Sequence, residues 1–312
     1  MDNPFPATVI SDWGFLESVV ERSVCPLCKK SRKYFCYSCL VALPNIADDI
    51  PKVQLPVTVD IIKHPNEIDG KSTSCHAAVL APDDVRVFTY PCIPDYDPQK
   101  AVLVFPCEDS VTLDNLKDKF KQNDPSVLQT RLSKDQSKCV DSSNKKELSS
   151  DVALIDNSIL NGISCDLKPT GMVISRKRCN EQTMQTRDQH ELPSKHAKLS
   201  LKMPFEKVVL IDSTWNQTRN IANDERLKNL MKVELKSQNT NFWRRQEGIP
   251  KSYLSTIEAI YYFMRDIHTI FLETEYAHEY DDLLFFFCFM YNKIQSSQKK
   301  SNKNLKKKID SA

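Results

Sequence analysis

Val208-Val209-Leu210-Ile211-Asp212-Ser213-Thr214-Trp215 decides how this chain folds. An apolar, largely β-branched run of this length reads as a buried strand of an α/β sheet. Polar residues at the C-terminal end of such a strand face the crevice where α/β proteins bind ligands. A carboxylate, a hydroxyl and an indole leaving that strand together can supply a base, a hydrogen bond and a stacking surface. The tetrapeptide also has a purely architectural reading, in which Asp212 caps the next helix and Trp215 anchors the core.

Outward from this strand, residues 57–62, 85–88 and 101–105 alternate with Pro breaks and read as further strands. His64 precedes Pro65, which ends the first of them, and reads as a structural histidine. C-terminal to the tetrapeptide, Ile257, Ile260, Tyr261, Met264, Ile267, Ile270 and Phe271 recur at helical spacing. Ser255 and Glu258 make a Ser-x-x-Glu capping box for that helix. Free N–H groups at its N-terminus can also bind a carboxylate, with Thr256 as the direct contact. A second helix is expected over 280–294, where residues 283–290 are apolar nearly all round.

Cys25-x-x-Cys28 and Cys36-x-x-Cys39 form two knuckles seven residues apart. Four thiolates so spaced suit one tetrahedral zinc ion, structural because no position stays open for water. Lys29, Lys30, Arg32 and Lys33 lie between the knuckles, where they could touch phosphate. The eleven cysteines and the absence of an apolar leader point to a reducing compartment. The longest apolar run, 283–291, is too short to span a bilayer, so no membrane is expected.

The net charge of the 312 residues is only +2, so any attraction to nucleic acid must be local. Lys299, Lys300, Lys303, Lys306, Lys307 and Lys308 make the C-terminus basic, and Arg176-Lys177-Arg178 is a second basic patch. Both suit nuclear import or RNA contact, giving a nuclear expectation with a cytoplasmic alternative. Hydrophobic content of 40% suits a globular protein, yet mean hydropathy is −0.45. The polar excess concentrates in 113–203, which holds one Phe and no Trp or Tyr. Such a stretch buries too little apolar surface to offset chain entropy and is expected as a disordered insertion, with a transient helix near 152–160. The expected organisation is a lead (1–24), a zinc clip (25–44), two halves of one α/β domain (45–112 and 204–296) about the insertion, and a basic tail (297–312).

His64-Pro65-Asn66-Glu67, Leu103-Val104-Phe105-Pro106, Asp212-Ser213-Thr214-Trp215 and Leu254-Ser255-Thr256-Ile257 occur in an order that resembles the DTW-domain family. Its defining motif is Asp-x-Thr-Trp, and the resemblance covers 25–106 and 207–292. Three positions depart from the family's habit: Cys107 for Gly, Ile257 for Ala after Ser-Thr, and Ser72-Thr73 for Asn-Thr. The resemblance implies a mostly parallel sheet with flanking helices and a knotted, methyltransferase-like core. It implies transfer of a 3-amino-3-carboxypropyl group from S-adenosylmethionine to N3 of a D-loop uridine, position 20, in tRNA. Asp212 is then the candidate general base, or the group that orients N3. Phe105, Pro106, Thr214, Trp215, Ser255 and Thr256 are candidates for the cofactor site. Arg244 and Arg245, beside Phe242 and Trp243, are candidates for contact with RNA. Two alternatives stay open: an RNA methyltransferase of the same architecture, and a non-catalytic zinc-containing RNA-binding module. Product mass separates the first and cofactor binding the second.

Overall fold

The computed structural model describes residues 3–123, 203–236, 238–243, 250–272 and 274–310. Six strands form one all-parallel sheet: β5 (Thr58–Lys63), β6 (Val85–Thr89), β7 (Ala101–Val104), β8 (Val111–Thr112), β9 (Lys207–Asp212) and β10 (Met231–Glu234), in the order β6-β5-β9-β7-β10-β8. The deciding strand, β9, lies near the middle. Ile61 pairs with Leu210 on one side and Val102 with Val208 on the other. Covered by helices on both faces, it needs apolar residues on each, which explains the near-continuous run.

Helices cover both faces. On one side Val59, Ile61, Val208 and Leu210 join a core with α2 (Ser74–Leu80), α5 (Thr256–Ile267) and the start of α6 (Phe285–Asp310). On the other, Ile62, Leu103 and Val209 pack against Ile221 and Ala222 of α4 (Trp215–Ala222) and against Leu227 and Leu230. The stripe expected on α5 is buried, but the helix ends at Ile267. A π-turn over His268–Leu272 carries Ile270 and Phe271 onward.

Three boundaries differ from expectation. The stretch read as a lead carries Phe5, Trp13 and, in α1 (Phe15–Ser18), Leu16, all buried. Its Val9 N–H donates to Asp281 at 2.7 Å, and Asp281 also accepts from Tyr276 at 2.6 Å. The stretch read as insertion opens with the helix α3 (Leu113–Asn123), directly after β8. Two leucines, Leu113 and Leu116, suffice to dock α3 on the core despite its polar composition. The helix expected near 152–160 lies outside the described residues. The basic stretch read as a tail continues α6, which starts after the 3₁₀ turn Asp281–Leu284. Among the described residues, no helix is long and apolar enough to cross a membrane.

Candidate active site

Asp212 closes β9 and is 6% exposed. It does not cap α4, since Thr214 holds the N-cap position. Its carboxylate bridges two other segments. Oδ2 accepts from the Ser72 hydroxyl at 2.5 Å, and Oδ1 accepts from the Thr256 hydroxyl at 2.7 Å. Ser72 Oγ in turn accepts the Ser74 N–H at 3.0 Å, which leaves its own proton for Asp212. The Asp212 carbonyl accepts the His64 N–H at 3.0 Å. His64 itself is a turn residue, its Nδ1 accepting the Asn66 N–H at 3.1 Å. Beside the carboxylate, burial and then the Asp212 charge push the Cys75 thiol up to about 12.

Thr256 is held from its own helix as well. The completely buried Glu258 accepts the Ser255 N–H at 2.8 Å and the Ser255 hydroxyl at 2.7 Å. It also accepts the Thr240 hydroxyl and the Asn241 N–H, each at 2.7 Å. The expected cap is therefore present and ties a distant loop to α5. The Ile257 N–H is not free for a ligand: it donates to Thr73 Oγ1 at 3.2 Å.

A cleft of about 540 Å³ opens at the C-terminal ends of β7, β9 and β10. That volume lies within the range of small-molecule sites, and the position is where parallel sheets bind ligands. Phe105, Pro106 and Thr256, three of the expected cofactor residues, line it together with Ser213 of the motif, while Ser255 does not. Leu210, Ile211 and Leu254 give apolar walls, and Glu234 and Lys236 bring charge to the rim. Ser110 holds Glu234 by donating to its carboxylate at 3.0 Å. Asp212 lies behind Thr256 rather than in the wall. Thr214 is exposed, and its carbonyl accepts the Gln217 N–H at 2.8 Å. The Trp215 side chain and residues Arg244 and Arg245 lie outside the described residues. Ser72, Glu234 and Lys236 were not anticipated. Ser72 had a visible cue in the Ser-Thr pair that follows His64-Pro65.

The four cysteines meet as expected. Two hairpins carry them, β1 (Ser23–Val24) with β2 (Ser31–Arg32) and β3 (Phe35–Cys36) with β4 (Val41–Ala42). The clip thus begins two residues before Cys25. Lys29 and Leu40, each directly after the second cysteine of a knuckle, both have φ of 58°. That left-handed turn curls the backbone round the sulfurs. All four Sγ atoms lie within 4.8 Å of one another, with Cys28 and Cys36 at 3.6 Å. A tetrahedral zinc with Zn–S of about 2.3 Å needs sulfurs about 3.8 Å apart, so the donor set fits. Burial opposes ionisation of Cys36, but the N–H donors of Cys39 and Ser38 and the neighbouring thiols bring it down to about 6.

A parallel α/β sheet with a ligand cleft at its carboxyl edge, a buried carboxylate behind it and a four-thiol clip define the class. A DTW domain match spans residues 33–295, and the chain belongs to the DTW domain family. It is 44% identical over 288 residues to a Xenopus tropicalis protein named tRNA-uridine aminocarboxypropyltransferase 1, covering 90% of this chain and 82% of that one. Mouse and human proteins of the same name are 41% and 39% identical, each covering 89% of this chain and 78% of their own. No solved structure matches.

Proposed function

We propose that this protein is an enzyme that transfers a 3-amino-3-carboxypropyl group to a uridine of tRNA, with S-adenosylmethionine as donor, N3 as acceptor and the D-loop as target. The name shared by the relatives, tRNA-uridine aminocarboxypropyltransferase 1, supports the reaction class. The observation that carries the site is the Thr256–Asp212 hydrogen bond at the edge of the cleft.

The chemistry sets two demands. N3 of uridine carries a proton that must leave as its lone pair forms the new N–C bond. The donor, when bound, supplies an electrophilic γ-carbon with methylthioadenosine as leaving group. The cleft meets the second demand by size and by a mixed lining of apolar walls and rim charges. For the first, Thr256 donates its proton to Asp212 and so leaves oxygen lone pairs for the cleft. An N3–H reaching Thr256 Oγ1 passes its proton there as the threonine proton moves to Asp212 Oδ1. Asp212 thus acts through Thr256, with Ser72 fixing its other oxygen. Holding acceptor and donor in line supplies much of the remaining rate.

The clip holds one structural zinc, through Cys25, Cys28, Cys36 and Cys39. The run of lysines at 299–308 in the sequence and the 176–178 patch support a nuclear location. The rivals named above predict different products. Incubation with a tRNA transcript and S-adenosylmethionine, followed by nucleoside mass spectrometry, tests the reading. The aminocarboxypropyl mass on uridine is expected; a methyl mass selects the methyltransferase, and no adduct selects the binding module.

A further inference from the structure

A second cavity, of about 210 Å³, lies between the cysteine clip and the Ser72-Thr73 turn. Four cations line it, Arg22, Arg32, Lys33 and Lys71, and among the described residues no carboxylate does. Among the described residues, Arg22, Arg32 and Lys33 have no carboxylate partner. Arg32 is only 9% exposed. Its guanidinium stacks on the Tyr37 ring at 4.0 Å. It donates to the Ser31 carbonyl at 3.2 Å and to Ser38 Oγ at 3.5 Å, while its buried Nε has no partner among the described residues. The nearby Asp69 is taken by Lys63 and by Ser38, the latter at 3.2 Å. His76 also lines the cavity, and its buried Nδ1 has no partner among the described residues. Burying a guanidinium with unmet donors is costly unless an anion completes it.

We propose that this pocket holds a phosphodiester of the tRNA substrate; this rests on the functional reading above. A planar guanidinium matches a phosphate through paired N–H donors. Tyr37 and Trp243 also line the site, so a nucleotide held there meets aromatic surface beside its phosphate. The location gives the pocket its role. Ser72 and Thr73 form its wall, Ser72 donates to Asp212, and Asp212 accepts from Thr256 in the cleft. One hydrogen-bonded bridge therefore separates the basic pocket from the cleft, so a phosphate anchored here sets a neighbouring nucleotide near the reacting edge. The basic run between the knuckles then serves RNA, with the metal clip fixing its shape.

The test compares the full-length protein with Arg32→Ala and with the more exposed double variant Arg22→Gln/Lys33→Gln, which keeps the test decisive where Arg32→Ala fails to fold. Affinity for a tRNA transcript is read by fluorescence anisotropy across a salt series, with S-adenosylmethionine affinity alongside. Loss of one charged contact is expected to weaken tRNA binding by about tenfold or more. The slope of log affinity against log salt should fall by roughly 0.7 per lost contact. S-adenosylmethionine binding should not change. A folded variant with wild-type tRNA affinity and slope overturns the pocket assignment alone. Variants that lose binding of inorganic phosphate yet keep tRNA affinity mark a free-phosphate site and overturn it too. A wild-type protein with no tRNA affinity overturns the functional reading and the pocket with it.

Discussion

The parallel sheet and the cysteine clip reach order by different means. The sheet buries Val59, Ile61, Ile62, Val208 and Val209 between two helical layers, and its stability is spread over many contacts. Around its sulfurs the clip has a core of only Cys25, Cys36 and Leu43, with partial help from Cys28, Cys39 and Val41, while Tyr34 and Phe35 join the main core. Two strand pairs of two residues each cannot fold on that much apolar surface. The difference teaches that the sheet-edge cleft and the basic pocket respond to different perturbations, because one is built on the sheet and the other on the clip.

The largest effect should come from metal removal. Structural zinc contributes on the order of 10 kcal/mol to local folding. Cys36→Ser is expected to release the metal and open the clip, while the sheet keeps its cooperative thermal transition. Metal analysis with circular dichroism checks this. A wild-type protein that carries no zinc would remove the distinction between the two regions.

Next comes acid, which acts at the seam between them. His76 packs against Phe35 of the clip and Phe286 of α6 at ring distances of 5.5 and 5.9 Å. Burial drives its pKa down from 6.5 to about 3. The unfolded chain therefore takes up a proton below about pH 6.5 that the folded chain refuses until about pH 3. Stability is unaffected above pH 7 and falls across that window as pH drops, by up to about 5 kcal/mol at 1.4 kcal/mol per unit. Denaturant midpoints of wild type and His76→Leu, measured at pH 7 and pH 4.5, should show a smaller acid loss in the variant. Equal losses would exclude His76 as the source.

Within the sheet region, Thr256→Val keeps shape and removes the hydroxyl. Turnover should drop about 100-fold, the low end for proton-transfer catalysis, with zinc content and tRNA affinity unchanged. Thr256→Ser should restore most of it. A Val variant within a few-fold of wild type would detach Thr256 from the proton path.

The smallest effect should follow replacement of 124–202 by a flexible linker. Closure entropy grows slowly with loop length, so stability should change by roughly 1–2 kcal/mol. The cut must spare α3, whose Leu113 and Leu116 are buried and whose Lys117 donates to the Ile270 carbonyl. Loss of folding in that deletion would make the stretch part of the sheet's architecture.

These contrasts also explain what the sequence made legible. β9 was readable because a central parallel strand is apolar on both faces. β10 was not, because Met-Lys-Val-Glu offers only two apolar residues. α4 was foreshadowed only as the helix after Asp212, since Trp215, Ile221 and Ala222 are the only apolar residues among its eight. The clip was readable because a four-thiolate metal site would fix the spacing of its ligands locally. At the site, Asp212 and Thr256 stood out through motifs, whereas Ser72 meets Asp212 across 140 residues of chain. No local pattern encodes such a pairing. It arises only when the turn before α2, the end of β9 and the start of α5 converge. The knotted path rested on the resemblance alone, since hydrophobic periodicity carries no information about threading.

The central claim is that Asp212 works through Thr256 on the N3 proton of a tRNA uridine. Asp212→Asn tests it most directly, because asparagine offers one acceptor oxygen where the carboxylate offers two. The measurement is single-turnover modification of a tRNA transcript, with the nucleoside product identified by mass. Wild type should yield the aminocarboxypropyl adduct on uridine. The Asn variant should bind S-adenosylmethionine and tRNA nearly normally and react about 10²–10⁴-fold more slowly. An Asn variant within a few-fold of wild type would contradict the claim and leave Asp212 as a structural bridge between three segments.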